Sequence, residues 1–273
     1  MSILLPELDS EKIFETVNSL RKLSKVVTAF SRQFIPYNKL RKENTLKISH
    51  KGLTTQSIPY CYNDQLVFFE MELDFHLLSL WIKIGEDERQ IPFAKISEME
   101  FYYKTKDLLN DLGFNLEVEV ASFIDEEPLK LDPDVLEKFL KILHFAAYGL
   151  KLFRSGLNEH TSSLQFRPGE MDLVMNIYDH EVRDKKKIKK LVFGFSFGDE
   201  ENTFPYFYST SEPFPEYLLD KKLPDDAFWS YEKGKAAILP YEILRNKNSP
   251  QESLIEFYLS MKNEFDNLSS FVK

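Results

Sequence analysis

Between Thr45 and Ile84 the sequence reads as strand after strand, with no helical period to separate them. Leu46 and Ile48 alternate with Lys47 and Ser49. Leu66 to Phe75 and Leu77 to Ile84 are rich in β-branched and aromatic residues. Short turns are expected at Tyr62-Asn63-Asp64-Gln65 and at Asp74-Phe75-His76. Strands that follow one another this closely do not make a regular βαβ alternation. They point to an α+β fold with mostly antiparallel sheet.

Helices flank this block. Ile13, Phe14, Val17, Leu20, Leu23, Val27 and Phe30 recur at spacings of three and four, which predicts one apolar stripe on a helix over Ser10–Phe34, stopped by Pro36. Ser97 with Glu100 is a capping box, and Gly113 ends the helix it opens. Phe114 to Val120 alternates as a strand. Asp132-Pro133 combines a capping carboxylate with proline at the first helical position, so a third helix is expected to run to about Ser155, with Gly149 allowing a close neighbour. Leu164 to Tyr178 and Leu191 to Phe197 read as strands. The Pro- and aromatic-rich segment Phe204 to Leu223 is expected to lack long regular structure. Ala237–Leu239 reads as a short strand, and Ser249-Pro250-Gln251-Glu252 opens a last helix lined by Leu254, Phe257, Tyr258 and Met261. The expectation is therefore antiparallel sheet packed against three to four helices. It takes the form of one compact domain over residues 1–273 or, alternatively, two similar halves, 1–125 and 126–273.

Composition narrows the function classes. The chain has 273 residues, 43% of them hydrophobic, with 24 phenylalanines and 13 tyrosines, so it can bury a sizeable core and is unlike a disordered chain. Nine glycines argue against loops that cradle phosphates. A net charge of −9 disfavours nucleic acid and anionic membranes as partners, since both need a basic face. The single cysteine, Cys61, permits no intramolecular disulfide and is expected to be a small buried or half-buried apolar residue. Met1 to Glu7 lacks the basic region of a secretory signal, and no apolar run approaches the ~20 residues of a membrane span. A soluble, cytoplasmic protein without a cofactor is the expectation.

Several blocks carry a family pattern: His50-Lys51-Gly52-Leu53-Thr54-Thr55-Gln56-Ser57-Ile58-Pro59-Tyr60; Phe166, Gly169 and Asp172; Gly194-Phe195 with Gly198; Pro205-Tyr206-Phe207-Tyr208 with Glu212-Pro213; and Leu239-Pro240-Tyr241 before the final helix. In these the chain resembles a bacterial family, domain of unknown function 5996, over most of its length. It departs from the family at Tyr37 to Lys42, where His and paired Trp are usual, and at Phe166-Arg167-Pro168, where the family favours His and a further aromatic. The family has no established reaction, so the resemblance implies no catalytic residue.

The tempting chemistries are weak. Gly194-Phe195-Ser196-Phe197-Gly198 fits the nucleophile elbow of α/β hydrolases, but that elbow needs a helix after the serine and a later histidine, and the last histidine is His180. His50, His76, His144, His160 and His180 show no metal-ligand spacing, so no metal is expected; His50 and His180 beside the family blocks are the ones to check. Arg183 to Lys190 is a basic run without interleaved aromatics, and reads as a solvated hairpin loop. Glu170 and Asp172 share a face if they lie on one strand.

The set that remains is Thr54, Thr55, Tyr60, Arg167 and Asp172, polar groups inside the two strongest blocks. They read either as a braced turn, with Thr54-Thr55 and Pro59 shaping it and Asp172 tying it down, or as a pocket floor with Arg167 as anion anchor. Three functions follow: a protein binding a small molecule or protein partner in an aromatic-lined cleft; an enzyme on a small anionic substrate, with Arg167 orienting it and Glu170, Asp172 or His50 as acid or base; and an interaction module using Phe204 to Tyr217.

Overall fold

The computed structural model describes residues 4–35, 42–62, 64–114, 116–178, 190–198, 203–224, 226–231 and 235–270. The fold is α+β and its strand pairs are antiparallel. The chain packs as two compact units. One comprises Leu8–Lys141 with Gln165–Gly169; the other comprises Ile142–Leu164, Glu170–Lys273 and the described part of Met1–Glu7.

The first unit opens with helix α1 (Ser10–Ser31), followed by β1 (Lys47–Ile48), β2 (Gly52–Thr54), β3 (Ile58–Tyr62), β4 (Gln65–Asp74), β5 (Ser79–Ile84) and β6 (Asp87–Pro92), then helix α2 (Glu98–Asp111). The strands lie in the order β1-β2-β4-β5-β6, with β3 also paired to β4. Alternation gives the sheet two different faces. Leu53, Phe69, Met71, Leu73, Leu80 and Ile82 are fully buried on one of them. Phe34, just beyond α1, stacks on Phe69 at 4.1 Å, so this is the face that meets α1. Leu20, Leu23, Val26, Val27 and Phe30 of α1 have no exposed surface, whereas Phe14 is 62% exposed. The stripe is real but narrower than the spacing implied: Phe14 is one position off it, and Thr16 is buried in its place. Ser97 caps α2 through the Glu100 amide at 3.0 Å, as the capping box requires.

After α2 the expected strand over Phe114 to Val120 does not form; residues 116–119 are irregular and a short 3-10 turn covers Val120–Ser122. Tyr102 explains this: its hydroxyl donates to the Val118 carbonyl at 2.8 Å, and its ring stacks with Phe30 and Phe123. Helix α3 (Pro133–Ser155) begins at its Asp132 cap, whose carboxylate accepts the Asp134 amide at 2.9 Å. Strand β7 (Gln165–Arg167) returns to the first unit, where Leu46 and Phe166 exchange backbone hydrogen bonds of 2.8 and 2.9 Å.

The second unit holds the rest of α3, then β8 (Asp172–Tyr178), β9 (Lys190–Ser196), β10 (Tyr206–Glu212), β11 (Phe228–Ser230), β12 (Ala236–Pro240), α4 (Tyr241–Arg245) and α5 (Pro250–Ser270). Its strands run in the order β11-β12-β10-β9-β8. Phe193, Phe195 and Phe207 face the helices: Phe153 of α3 and Tyr258 of α5 pack on Phe193, and Phe145 packs on Phe207. Gly149 lets the helices close up, since a Cβ there would meet Leu254 Cδ2 at 2.6 Å. Two expectations are corrected here. Leu164 to Tyr178 is broken by a turn at 168–171, with Met171 at φ 51°. The segment from Phe204 contains β10, a seven-residue central strand. Its serines and threonine hid a strand whose Tyr206, Phe207 and Tyr208 are buried.

Candidate functional site

Where it is built by β2, the end of β4, β5 and β6, the face of the first sheet opposite α1 is mostly polar, and its make-up follows from register. Thr54 of β2 stands opposite Glu72 of β4, Glu72 opposite Trp81 of β5, and Trp81 opposite Gln90 of β6. On one side of this row lie Glu70, Lys83 and Glu88; on the other lie Gly52, Asp74, Ser79 and Pro92. Residues directly opposite in an antiparallel pair have Cβ atoms about 4.5–5.5 Å apart, so the rows form a continuous strip.

Its parts are unequally satisfied. Thr54 donates to Glu70 Oε1 at 2.7 Å, and Ser57 donates to Glu70 Oε2 at 3.0 Å. Asp74, 1% exposed, accepts the His76 and Leu77 amides at 3.0 Å and lies 3.6 Å from the Lys51 ammonium. Gln90 donates to Ser79 Oγ at 2.7 Å. Glu72 is only 6% exposed and has the Lys83 ammonium at 3.6 Å. The Trp81 indole nitrogen is buried without an acceptor among the described residues. A buried N–H left unpaired costs about 1–3 kcal/mol, so the strip holds one unmet donor beside a buried carboxylate. Trp81 and Lys83 are half-buried, which leaves this part of the strip open to solvent.

Of the residues singled out in the sequence, Thr54 lies in the strip. Thr55 sits beside it and works on the backbone instead. Its hydroxyl accepts the Met71 amide at 3.0 Å and donates to the Gln56 carbonyl. With the Gln56 amide on Thr54 Oγ1, and Gln56 itself at φ 62°, the two threonines brace the turn between β2 and β3. Tyr60 belongs to the other face, where its ring meets Phe34 at 5.0 Å and Phe114 at 5.6 Å. Arg167, half-buried, ends β7 in the first unit. Asp172 lies in the second unit, 3% exposed, and accepts the Tyr208 hydroxyl at 2.6 Å. The Tyr208 ring fills the space a side chain would need at position 194, with a Cβ there only 2.6 Å from it.

Ser196 ends β9 at 3% exposure and accepts the Gly198 amide at 3.1 Å; the next described element is β10, not the helix an elbow needs. Glu170 is exposed in the turn before β8 and is not on a strand with Asp172. His50, His76, His144 and His160 are exposed, and among the described residues no three of His, Cys, Asp and Glu gather as metal ligands would. His180 and the basic run from Arg183 to Lys189 lie outside the described residues, as do residues 37–41 of the family departure. Cys61 is exposed, against expectation, because β3 turns it to the same face as Leu66 and Phe68, which are 77% and 59% exposed. Within Phe204 to Tyr217 the middle is buried, and Phe204 and Tyr217 remain partly exposed.

Glu72, Trp81, Lys83 and Gln90 escaped the sequence reading because a row across four strands exists only once the register is known. The one signal in the sequence was Glu70, Glu72 and Asp74 at every second position of a strand whose other residues from Leu66 onward are apolar.

No helix among the described residues is long and apolar enough to cross a membrane. No curated protein and no solved structure matches the chain. Its sequence does match a family model from residue 5 to residue 268, nearly end to end, and on that match the chain belongs to the family of unknown function DUF5996.

Proposed function

We propose that this protein binds a small polar molecule on the strip Thr54–Glu72–Trp81–Gln90, and that it acts by binding rather than by catalysis. The observation that carries the reading is the Trp81 indole N–H, buried with no acceptor among the described residues, next in register to the buried Glu72 carboxylate. A ligand with an acceptor for the indole and a donor or cation for Glu72 would meet both needs. The indole face adds apolar and cation–π contact. Thr54 and Glu70 frame the site, and Thr55 keeps the adjoining turn in shape. Amino acids and amino alcohols have this pairing of groups.

The test is a thermal-shift and fluorescence titration in a Trp229→Phe background, so that Trp81 reports alone, against amino acids, amines, polyols and nucleosides. The expected outcome is a saturable rise in melting temperature, equivalent to about 2.7 kcal/mol at a hundredfold excess over Kd, with a change in Trp81 emission. Trp81→Phe and Glu72→Gln should abolish the thermal shift while the protein stays folded. A panel with no shift, or a shift that survives Trp81→Phe, would sink the proposal.

A further inference from the structure

Helices α3 and α5 touch through Gly149 and Leu254, and through Phe153 and Tyr258 with ring centroids 5.3 Å apart. Beside that contact, Leu152 of α3 and one side of α5 line an open groove of about 670 Å³. Its apolar lining is Leu152 from α3, 39% exposed, with Ile255 and Leu259 from α5, the latter 44% exposed. One turn before Leu152 on the same helix, Tyr148 is 51% exposed and continues the apolar row. The charged side chains lining the groove are all acidic: Glu252, Glu256 and Glu264. Glu264 is paired with Lys221 at 3.7 Å, whereas among the described residues no cation pairs with Glu252 or Glu256.

Helix α5 thus presents two parallel rows, Ile255–Leu259 and Glu252–Glu256, each with the four-residue spacing that places side chains one above the other on a helix. A row of apolar anchors beside a row of carboxylates is the complement of an amphipathic helix with a basic flank. From this charge pattern we infer that the α3–α5 groove docks a basic amphipathic helix of a partner protein. A second copy of this chain fits less well, because it would bring another −9 of charge and another acidic rim to the same place. Nucleic acid is repelled for the same reason. The inference stands on α3 and α5 alone and is independent of the Trp81 strip.

The experiment uses the whole protein and two synthetic peptides of about 20 residues, one with Leu and Lys, the other with Leu and Glu, in the same amphipathic pattern. Binding is measured by fluorescence anisotropy at low and high salt. The Lys peptide should bind and weaken with salt, and the Glu peptide should not bind. Leu259→Ser should weaken the Lys peptide about tenfold. The double variant Glu252→Lys/Glu256→Lys should reverse the preference between the peptides. All three substitutions are on exposed positions, and circular dichroism checks that each variant is folded. Failure of the Lys peptide to bind would overturn the inference, as would binding that both variants leave unchanged, since that would reflect overall charge. Concentration-dependent dimers that Leu259→Ser abolishes would overturn it in favour of a second copy.

Discussion

At the scale of single residues, the buried polar groups divide into those whose neighbours satisfy them and those that titrate or wait. Asp172 and Tyr208 are of the first kind. Replacing Tyr208 by Phe removes the hydroxyl and takes a hydrogen bond from a carboxylate that is 3% exposed. A loss of about 1–3 kcal/mol is expected, read from the urea midpoint at unchanged slope; a loss below about 0.5 kcal/mol would mean that Asp172 does not depend on this donor. Glu98 is of the second kind. Burial raises its pKa above the usual glutamate range, Lys22 opposes that, and Asp125 adds to it. A folded-state pKa raised above the unfolded one favours the protonated carboxyl in the native protein. The resulting stability is complete below the ordinary glutamate range and is lost as pH rises through the folded value. Glu98→Gln should therefore be more stable than the parent at pH 7, with the gap closing under acid. Melting curves from pH 4 to 8 check this, and a gap that widens toward low pH would refute it. That Thr54 and Thr55 brace a turn was one of the two readings the sequence offered, but Asp172, expected to tie that turn down, accepts from Tyr208 instead. That partner was not legible, since Tyr208 lies two strands away in register and 36 positions along the chain.

At the scale of elements, the caps and breakers were the most legible part. Ser97, Asp132 and Ser249-Pro250 each open a helix where local chemistry says they must. Strands were legible where one face is apolar. They were missed in β10, where Ser and Thr fill the second half, and in the charged β6; Phe114 to Val120 had the alternation but is occupied by a loop that Tyr102 holds. The pairing of β2 with β4 rests on a position with no room for a side chain. A Cβ at Gly52 would sit 2.1 Å from the Leu73 carbonyl oxygen, a backbone atom that cannot swing aside. Gly52→Ala should cost roughly 3 kcal/mol and raise hydrogen exchange at the Thr54 and Thr55 amides, because the pair must separate to admit the methyl group. A variant as stable as the parent would show that this sheet tolerates a shift of β2.

At the scale of the molecule, each unit, taken by itself, lays helices on one face of an antiparallel sheet, the arrangement anticipated from strands that come in runs. The second faces are where the units differ. In the first it is the strip from Thr54 to Gln90; in the second it carries Val174, Tyr206, Tyr208 and Ile238, all buried. Composition foresaw the large aromatic core but could not assign its members to a face, because burial is fixed by register and register by turns. One edge of the first sheet has a further consequence. Strand β6 ends the strand order with Asp87, Glu88, Arg89 and Gln90 all exposed, while β1 at the opposite end is two residues long. An edge that is charged or polar along its exposed run, and another too short to template a partner, give incoming chains little to zip onto at these two ends of the strand order. A protein with 24 phenylalanines can in this way crowd together at high concentration without fusing into fibrils through these two edges.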